Sequence, residues 1–391
     1  YPPMSGGAQR CMNILDQLSR RFDTTIIIHQ DEDSLMEARR EYPGLQRSRF
    51  IYTKDAPKPR DIFSLAPVRI QNALRYRYWN RSLKGSAGGD YLKIYPVLKA
   101  LFKKQRFDYY VLEDISVIRL AGLIRRYFHK ARIIYDAYNI NSKLAMPQNG
   151  GVEKESFLDL RFTESHLSDF VTDVFTCSAQ DLEELTLLNQ HKISGAVIPN
   201  GVKPDDDQAI IPGGSMEDNQ ILYCGSLDYQ PNQEGMIWFC EKVMPLILTL
   251  NPSATLMVVG KGDPGKRLTE LFKGPGIRFI GMVDDTTPYY RKAVLAIVPL
   301  NTGSGTRLKL LEAMGRRKAV VATSVGAEGI KYQNGKNILI ADDPASFASA
   351  VNRLLKDRSL VESIASSAHT LVRENYDWNI VGSKMEAYLN N

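Results

Sequence analysis

A glycine-rich segment in the second half of the chain has the residue types of an anion-binding site. Gly303 and Gly305 let the backbone approach a ligand closely, and Thr306 is suited to cap a following helix. The exposed N–H groups and the dipole of such a helix start attract a phosphate. Lys309 and Glu312 share one helix face, so they suit a diphosphate and ribose hydroxyls, respectively. The alternative is a capped amphipathic helix with a surface Lys–Glu pair.

A second pair of glycines, Gly6 and Gly7, stands before a helical pattern over residues 8–18. Glycine loops that bind nucleotides lie at the carboxyl ends of parallel strands, so loops from two such domains would converge on one cleft. A tight turn is the alternative interpretation of this pair.

The elements that must position these loops are short apolar runs that alternate with stretches of helical period. This pattern is typical of parallel strands joined by crossover helices, so we predict an α/β fold with two Rossmann-like, doubly wound domains facing across a cleft. The predicted strands lie near 25–29, 108–113, 131–136, 172–177, 195–199, 220–224, 254–259, 277–280, 293–298, 318–322 and 337–341.

The domain limits are predicted from composition. Residues 205–218 are rich in Asp, Pro and Gly, as in an exposed linker, and separate an N-terminal domain over 1–204 from a C-terminal domain over 219–375. We expect residues 376–391 to pack back on the first domain. Tyr1–Gly7 has the composition of a strand-to-helix loop, so the strand expected before it is missing from the sequence.

Composition places the chain among globular proteins. Its 391 residues are 43% hydrophobic and 24% charged, which suits two domains of similar size. The four cysteines have neither disulfide-framework nor zinc-site spacing, which indicates a reducing compartment. No apolar run approaches the ~18 residues of a membrane-spanning helix. We therefore predict a cytoplasmic protein.

Positive charge is concentrated between Arg39 and Arg106, where 17 basic residues stand against four acidic ones, a net +13. Aromatic residues are interleaved with these cations, as in proteins that contact an anionic membrane surface. We predict peripheral contact with the inner membrane face. A solvated basic face and single-stranded nucleic acid are the alternatives, and no RNA-binding signature supports the latter.

The segment from Gly303 to Met314, G-S-G-T-R-L-K-L-L-E-A-M, resembles the donor-site signature of GT-B glycosyltransferases of family 4, in the subgroup with G-S-G-T-R-L-K-x-L-E-A. Other blocks agree in order along the chain. They are Y-P-P-M-S-G-G-A at 1–8, C-S at 177–178, I-P-N-G-V at 198–202, Y-C-G-S-L at 223–227, V-V-G-K-G at 258–262, F-I-G-M-V at 279–283 and T-S-V-G-A-E-G at 323–329.

This resemblance implies a retaining transfer from a nucleotide-diphosphate sugar, with neither a cofactor nor an obligatory metal. Glu312 would hold the ribose, and Lys309 and Arg307 the departing diphosphate. Residues implied to bind the rest of the donor are Gly6, Gly7, Gly225, Ser226, Met282, Val283, Gly303, Ser304, Gly305 and Thr306.

The sequence departs from the family pattern at three places. Ser304 stands where many members have a glutamate that reaches the donor sugar, and residues 226–232 contain no cation where many have an Arg and a Lys. In the Asp136–Asn139 block, Tyr138 replaces a histidine. Asp136 and Asn139 follow a predicted strand and are expected to orient the acceptor with Tyr138; the alternative for Asp136 is a structural loop carboxylate.

These observations predict a hexosyltransferase that moves a hexose, with UDP as the expected nucleotide, to a glycan or lipid-linked acceptor in cell-surface polysaccharide or glycoconjugate synthesis. The alternatives are a catalytically degenerate GT-B binding subunit and a sugar-nucleotide epimerase of the same architecture.

Overall fold

A computed structural model describes most of the chain and divides it into two compact units. The described residues are 6–28, 33–52, 90–118, 120–144, 154–205, 219–303 and 307–391. Tyr1–Ile198 and Gly382–Asn391 form unit 1, and Pro199–Val381 forms unit 2. The predicted linker, apart from Asp205, lies outside the described residues, so the domain limits drawn from composition remain predictions.

Unit 1 alternates helices and strands. Its strands are β1 (Thr25–Ile28), β2 (Arg49–Tyr52), β3 (Tyr109–Leu112), β4 (Arg132–Ala137), β5 (Asp173–Thr176) and β6 (Ser194–Val197). Its helices are α1 (Gly6–Arg21), α2 (Asp33–Glu41), α3 (Asp90–Phe102), α4 (Leu120–Tyr127), α5 (Asn141–Leu144), α6 (Lys154–Ser165) and α7 (Ala179–Leu188).

The described strands of unit 1 form two parallel sheets, one of β3-β4-β5-β6 and one of β1-β2. β5 is buried at each of its residues and β4 at all but its first, as expected for parallel strands covered on both faces. In register, Asp136 of β4 faces Phe175 of β5. Because β3 and β4 are neighbours, residues that follow these two strands share one sheet edge.

The C-terminal residues contact the sheet of unit 1. Tyr388 donates its hydroxyl to Asp173 Oδ1 at 2.7 Å, and Arg132 Nη1 donates to the Leu389 carbonyl at 3.0 Å. A Cβ at Gly382 would overlap Gln17 and Arg21 of α1, so the helix that carries it packs closely on α1. These contacts position residues 382–391 within unit 1.

Unit 2 also alternates helices and strands. Its strands are β7 (Gln220–Cys224), β8 (Thr255–Val259), β9 (Ile277–Gly281), β10 (Leu295–Val298), β11 (Ala319–Ala322) and β12 (Leu339–Ile340). Its helices are α8 (Gln230–Trp238), α9 (Met244–Leu250), α10 (Gly265–Leu271), α11 (Thr287–Lys292), α12 (Leu308–Gly315), α13 (Pro344–Lys356) and α14 (Arg358–Asn375), and α15 (Trp378–Leu389) runs from unit 2 into unit 1.

The six described strands of unit 2 are parallel, in the order β12-β11-β10-β7-β8-β9. Numbered from β7, this is the 3-2-1-4-5-6 order of a Rossmann fold, with its switch point between β7 and β10. Alternate strand residues pack on opposite faces: Tyr223 and Ile297 lie in one apolar cluster, and Leu222 and Val298 in the other. Ligands of such sheets bind where the strands on either side of the switch point end.

The predicted fold class is confirmed, since both units are α/β with parallel sheets. The strand β2 was not predicted from the sequence, and the helix expected from Thr306 instead begins at Leu308, with Arg307 at the N-cap position and no side-chain cap. Thr306 and residues 53–89 of the basic segment lie outside the described residues. In the ranges that the structure describes, no helix is long and apolar enough to cross a bilayer.

Candidate active site

The loops after β7 and β10 bring two of the predicted donor residues of unit 2 together at the switch point. Gly225 directly follows β7, and Lys309 lies in the first turn of α12 after β10. A Cβ at Gly225 would lie 2.9 Å from Lys309 Nζ, so a larger residue there would displace the end of the Lys309 side chain. The sequence prediction that these two residues share a site is therefore consistent with their geometry.

Lys309 is half-buried and held by neutral groups. Its Nζ donates to Asn232 Oδ1 at 2.5 Å and to the Tyr223 hydroxyl at 3.2 Å, and it lies 4.9 Å from the centre of the Tyr223 ring. No carboxylate of the described residues forms an ion pair with Lys309. Burial lowers the pKa of Lys309 to about 7, so an anion that binds beside this side chain would favour its protonated form.

Arg307 contacts different residues from Lys309, namely those of the turn after β11. Its guanidinium is buried, donating to the Val325 carbonyl at 3.2 Å and forming an ion pair with Glu328 at 3.3 Å. Gly303, at φ +123°, packs against this guanidinium, and a Cβ there would lie 2.9 Å from Arg307 Nη1. Arg307 thus fastens the loop after β10 to the turn after β11, which positions α12.

Glu312 lies one turn beyond Lys309. Its Oε1 accepts from the Thr286 hydroxyl at 3.3 Å and pairs with Arg316 Nε at 3.4 Å. Both contacts are to Oε1, so Oε2 accepts no hydrogen bond from the described residues. Burial raises the pKa of Glu312, and Arg316 opposes that rise. One carboxylate oxygen is therefore held while the other can accept from ligand hydroxyls.

The remaining donor residues predicted in unit 2 lie on the loops of this sheet edge. Ser226 follows Gly225, and its carbonyl accepts from Asn232 Nδ2 at 2.6 Å. Met282, 65% exposed, and half-buried Val283 follow β9, beside Gly281 with φ +81°. The predicted residues Ser304, Gly305 and Thr306 lie outside the described residues.

In unit 1 the acceptor residues predicted after β4 have different environments. Asp136 is fully buried, and both of its carboxylate oxygens accept from Arg10 of α1. Tyr138 is half-buried and donates its hydroxyl to Asp114 Oδ2 at 2.6 Å. Burial and this hydrogen bond raise the pKa of Tyr138, so it is a donor and not a base. As placed, Asp136 holds α1 and is not directed toward an acceptor.

Asn139 and the two glycines of the N-terminus lie near the same sheet edge. Asn139 is half-buried in the bend after β4, and Gly6 and Gly7 open α1. A Cβ at Gly7 would lie 3.0 Å from the Tyr138 ring, so α1 approaches that ring closely. Gly7 and Tyr138 are thus brought together, while both carboxylate oxygens of Asp136 are bound by Arg10.

The structure adds residues that the sequence analysis did not select. Asn232 and Tyr223 hold Lys309, and Arg316 and Thr286 hold Glu312. Tyr223 belongs to a quoted family block, so its place beside Gly225 was a usable signal. Asn232 and Thr286 lie 77 and 26 residues from the groups that they contact, and no local pattern marks them. Arg316 lies four residues after Glu312 on the same helix, so the i,i+4 spacing was a usable signal.

No group of three or more His, Cys, Asp or Glu side chains in the described ranges is arranged to hold a metal ion. The groups converging on the donor residues are instead an ammonium, a carboxylate, a carboxamide and hydroxyls. This set matches a phosphorylated, hydroxyl-bearing ligand.

Residues 218–357, which include Lys309 and Glu312, match the family model for glycosyl transferases group 1. A 44.6 kDa uncharacterized protein in the cps region of Klebsiella pneumoniae is 32% identical over 164 residues, 40% of this chain and 42% of that protein. An uncharacterized glycosyltransferase of Methanocaldococcus jannaschii is 29% identical over 236 residues, 55% of this chain and 59% of that protein. The chain thus matches these two curated relatives over about half of their length.

Solved structures resemble the chain over nearly its full length. Anabaena HepE in complex with UDP and glucose has a TM-score of 0.66 and 14% identity, with 99% of this chain and 96% of that chain covered. Sucrose-phosphate synthase from Thermosynechococcus elongatus has a TM-score of 0.68 and 16% identity, with 99% and 93% covered. At these identities the likeness establishes the GT-B fold. Within this fold, residues 218–357 are similar to the glycosyl transferases group 1.

Proposed function

We propose that this protein is a retaining hexosyltransferase that uses a nucleotide-diphosphate sugar, with the donor bound by unit 2. The observation that carries the proposal is the Lys309 ammonium, half-buried at the switch point without a carboxylate partner among the described residues. Glu312, one turn further along α12, presents a carboxylate oxygen with no described partner. Together these groups suit the diphosphate and the ribose of one nucleotide.

The proposed chemistry follows from these charges. When the bond between the sugar C1 and the diphosphate oxygen breaks, negative charge develops on that oxygen, and an ammonium held beside it stabilises the transition state. In a front-face retaining reaction the same phosphate oxygen takes the proton of the acceptor hydroxyl as the new bond to C1 forms. The protein then needs no strong base, which is compatible with the replacement of a histidine by Tyr138.

The expected nucleotide is uridine diphosphate (UDP), with the base bound by the backbone at Met282 and Val283. Anabaena HepE, which shares the fold, binds UDP-glucose, and this supports a UDP-sugar as the first donor to test. We also propose that backbone groups of Gly225, Ser226 and Gly303 contact the phosphates and the sugar. The phosphate contacts expected of Gly6, Gly7, Ser304, Gly305 and Thr306 stay predictions. Arg307 already forms an ion pair with Glu328, so we propose that it supports the loop after β10 and does not bind the diphosphate.

The proposed acceptor is a glycan or a lipid-linked saccharide of cell-surface polysaccharide synthesis. The relative in a cps region of Klebsiella pneumoniae supports this class. In unit 1, Tyr138 and Asn139 are the side chains proposed to contact the acceptor, and Asp136 is reassigned to hold α1 through Arg10.

We further propose a cytoplasmic enzyme that associates with the inner membrane face. The described part of the basic segment exposes cations at Arg40, Arg47, Arg49, Lys99, Lys103, Lys104 and Arg106. Cosedimentation with vesicles of anionic and of neutral phospholipids tests this association. Equal recovery of the protein with both kinds of vesicle would exclude it.

The experiment that tests the proposed activity is a panel of UDP-, GDP-, ADP- and dTDP-sugars with measurement of released nucleotide. Glu312→Ala and Lys309→Met are the test variants. Lys292→Ala is the control because Lys292 is exposed at the end of α11. We expect slow release from one donor, lost in both test variants and kept in the control. Calorimetry with the free nucleotides follows if no release occurs: binding without turnover on any acceptor indicates a binding subunit, and no binding contradicts the proposal.

A further inference from the structure

The side chain of Asn232 connects two parts of the donor site. It is 5% exposed, its Nδ2 donates to the Ser226 carbonyl at 2.6 Å, and its Oδ1 accepts from Lys309 Nζ at 2.5 Å. The carbonyl can only accept and the ammonium can only donate, so the two contacts fix which way the carboxamide points. Asn232 is thus locked with its oxygen toward Lys309.

Backbone packing keeps Asn232 at this place. Gly235, one turn further along α8, lies so close to the Pro299 carbonyl that a Cβ there would overlap it. Pro299 directly follows β10, and α12 lies beyond the same loop. Helix α8, which carries Asn232, is therefore packed on the connection that leads to Lys309.

Tyr223 completes the environment of the ammonium. It is fully buried in β7, its hydroxyl accepts from Lys309 Nζ at 3.2 Å, and its ring faces the ammonium at 4.9 Å. A buried phenol and a buried carboxamide have well-defined positions but carry no charge. They can orient the ammonium without neutralising it.

Two other cations on or beside α12 differ from Lys309 because each is paired with a carboxylate. Arg307 forms an ion pair with Glu328, and Arg316 forms one with Glu312. Lys309 stands between them in sequence with uncharged partners only, among the described residues. The positive charge at this helix start is therefore concentrated on a single oriented group.

We propose that Asn232, assisted by Tyr223, is the positioning residue that holds the charged Lys309 side chain in place for the donor diphosphate. This inference rests on the proposed function and adds a residue to it. The loop between β7 and α8 contains no cation of its own. Helix α8 therefore supplies the side chain that orients the ammonium, and α12 supplies the ammonium itself. The two helices then form a single diphosphate-binding unit.

The first test does not need a ligand. Acetylation of Lys309 by acetic anhydride is followed by mass spectrometry across a pH series, in the full chain. The Asn232→Asp variant should move the pH midpoint of Lys309 acetylation upward by more than one unit, because a carboxylate favours the ammonium. The Asn232→Ala variant should move it downward. Equal midpoints in all three proteins would overturn the assignment of Asn232 to Lys309.

The second test is a double-mutant cycle in UDP binding, measured by calorimetry. Asn232→Ala should weaken UDP about tenfold in the wild-type background and have no effect in the Lys309→Met background. Asn232→Asp should weaken UDP at least as much, because its carboxylate competes with the diphosphate. Gln230→Ala, in the same helical turn, should bind UDP like the wild type.

The outcomes separate this proposal from the proposed function. Unchanged UDP affinity in Asn232→Ala overturns the positioning role, and so does an equal loss with and without Lys309, which would indicate only a disturbed Ser226 loop. If the wild type binds no nucleoside diphosphate, the proposed function is wrong, and a diphosphate is then not the ligand that Lys309 binds. The acetylation series still decides whether Asn232 controls the Lys309 ammonium.

Discussion

Arg10 and Asp136 form a fully buried ion pair in unit 1, with Nε to Oδ2 at 2.9 Å and Nη2 to Oδ1 at 2.6 Å. The two residues are 126 positions apart in the sequence. The pair ties α1, which begins at Gly6, to the end of β4. Two paired oxygens leave this carboxylate little capacity to orient an acceptor, which favours a structural role.

Breaking this pair should destabilise unit 1. We expect Asp136→Asn to lower the free energy of unfolding by about 3–5 kcal/mol, because the Arg10 charge loses its buried partner. Replacement of both residues, Arg10→Met with Asp136→Leu, should recover most of that loss. Urea unfolding of the three proteins measures the effect. Wild-type stability in Asp136→Asn together with lost turnover would restore the acceptor-orienting role.

Glu113, which follows β3, is a second buried carboxyl in unit 1. Neither of its oxygens has a hydrogen-bond partner of ordinary geometry among the described residues, and the Cys11 thiol, a weak donor, lies beside it. Burial and the nearby Asp136 carboxylate raise the pKa of Glu113 well above its usual range. Ionisation of this group is therefore disfavoured in the folded protein.

The consequence is a stability that falls as pH rises. The unfolded chain ionises Glu113 near pH 4.3, so the folded state loses stability progressively above that pH until its own, raised pKa is passed. We expect Glu113→Gln to raise the melting temperature at pH 8 and to change it little near pH 4. Glu37→Gln, at an exposed position of α2, is the control. An equal melting-temperature change at both pH values would contradict the raised pKa.

Lys318, at the entrance to β11, predicts the opposite pH dependence. Its side chain is fully buried, its Nζ donates to the Ala293 carbonyl at 2.9 Å, and burial lowers its pKa to about 7. The unfolded chain binds this proton up to pH ~10.4, so the stability due to this group rises between pH 7 and pH 10. At pH 7 the lowered pKa of Lys318 reduces the free energy of unfolding by an amount on the order of 4 kcal/mol.

The Lys318→Met substitution removes the destabilisation that comes from burying a protonated lysine. We expect the variant to be more stable than the wild type at pH 7, with the difference shrinking toward pH 10. Denaturant unfolding at several pH values measures it, and Lys336→Met, at an exposed position, is the control. A difference that stays constant across this range would show that Lys318 does not titrate in it.

The sequence was sufficient for the α/β class and for most strands, because each strand depends on a local pattern, an apolar run between helical stretches. The family resemblance implied that Gly225 and Lys309 share a site, and the two residues do lie close together. The partner of Lys309, Asn232, lies 77 residues earlier, and such a contact depends on the packing of α8 on the loop after β10. The burial of Asp136 likewise depends on Arg10, which no spacing rule connects to it.

UDP binding should depend on the protonation of Lys309. Because the free protein has a Lys309 pKa of about 7, UDP must bind together with a proton at higher pH, and its affinity should fall from pH 7 toward pH 9. Lys309→Met should bind UDP about 10- to 100-fold more weakly at pH 6.5 and lose this pH dependence. Calorimetry at the two pH values, with Lys292→Ala as control, measures both effects. A pH dependence that persists in Lys309→Met would assign it to another group.

Glu312 should distinguish ribose from deoxyribose. Its Oε1 is held by Thr286 and Arg316, which leaves Oε2 to accept a ribose hydroxyl. The wild type should therefore bind UDP about tenfold more tightly than 2′,3′-dideoxy-UDP, since loss of the hydroxyls leaves a partly buried carboxylate oxygen unpaired. Glu312→Ala should bind the two nucleotides equally, and Glu270→Ala, at an exposed position of α10, should keep the preference. If Glu312→Ala keeps the preference as well, the ribose is read by other groups, and the carboxylate serves only to anchor Arg316 at the end of α12.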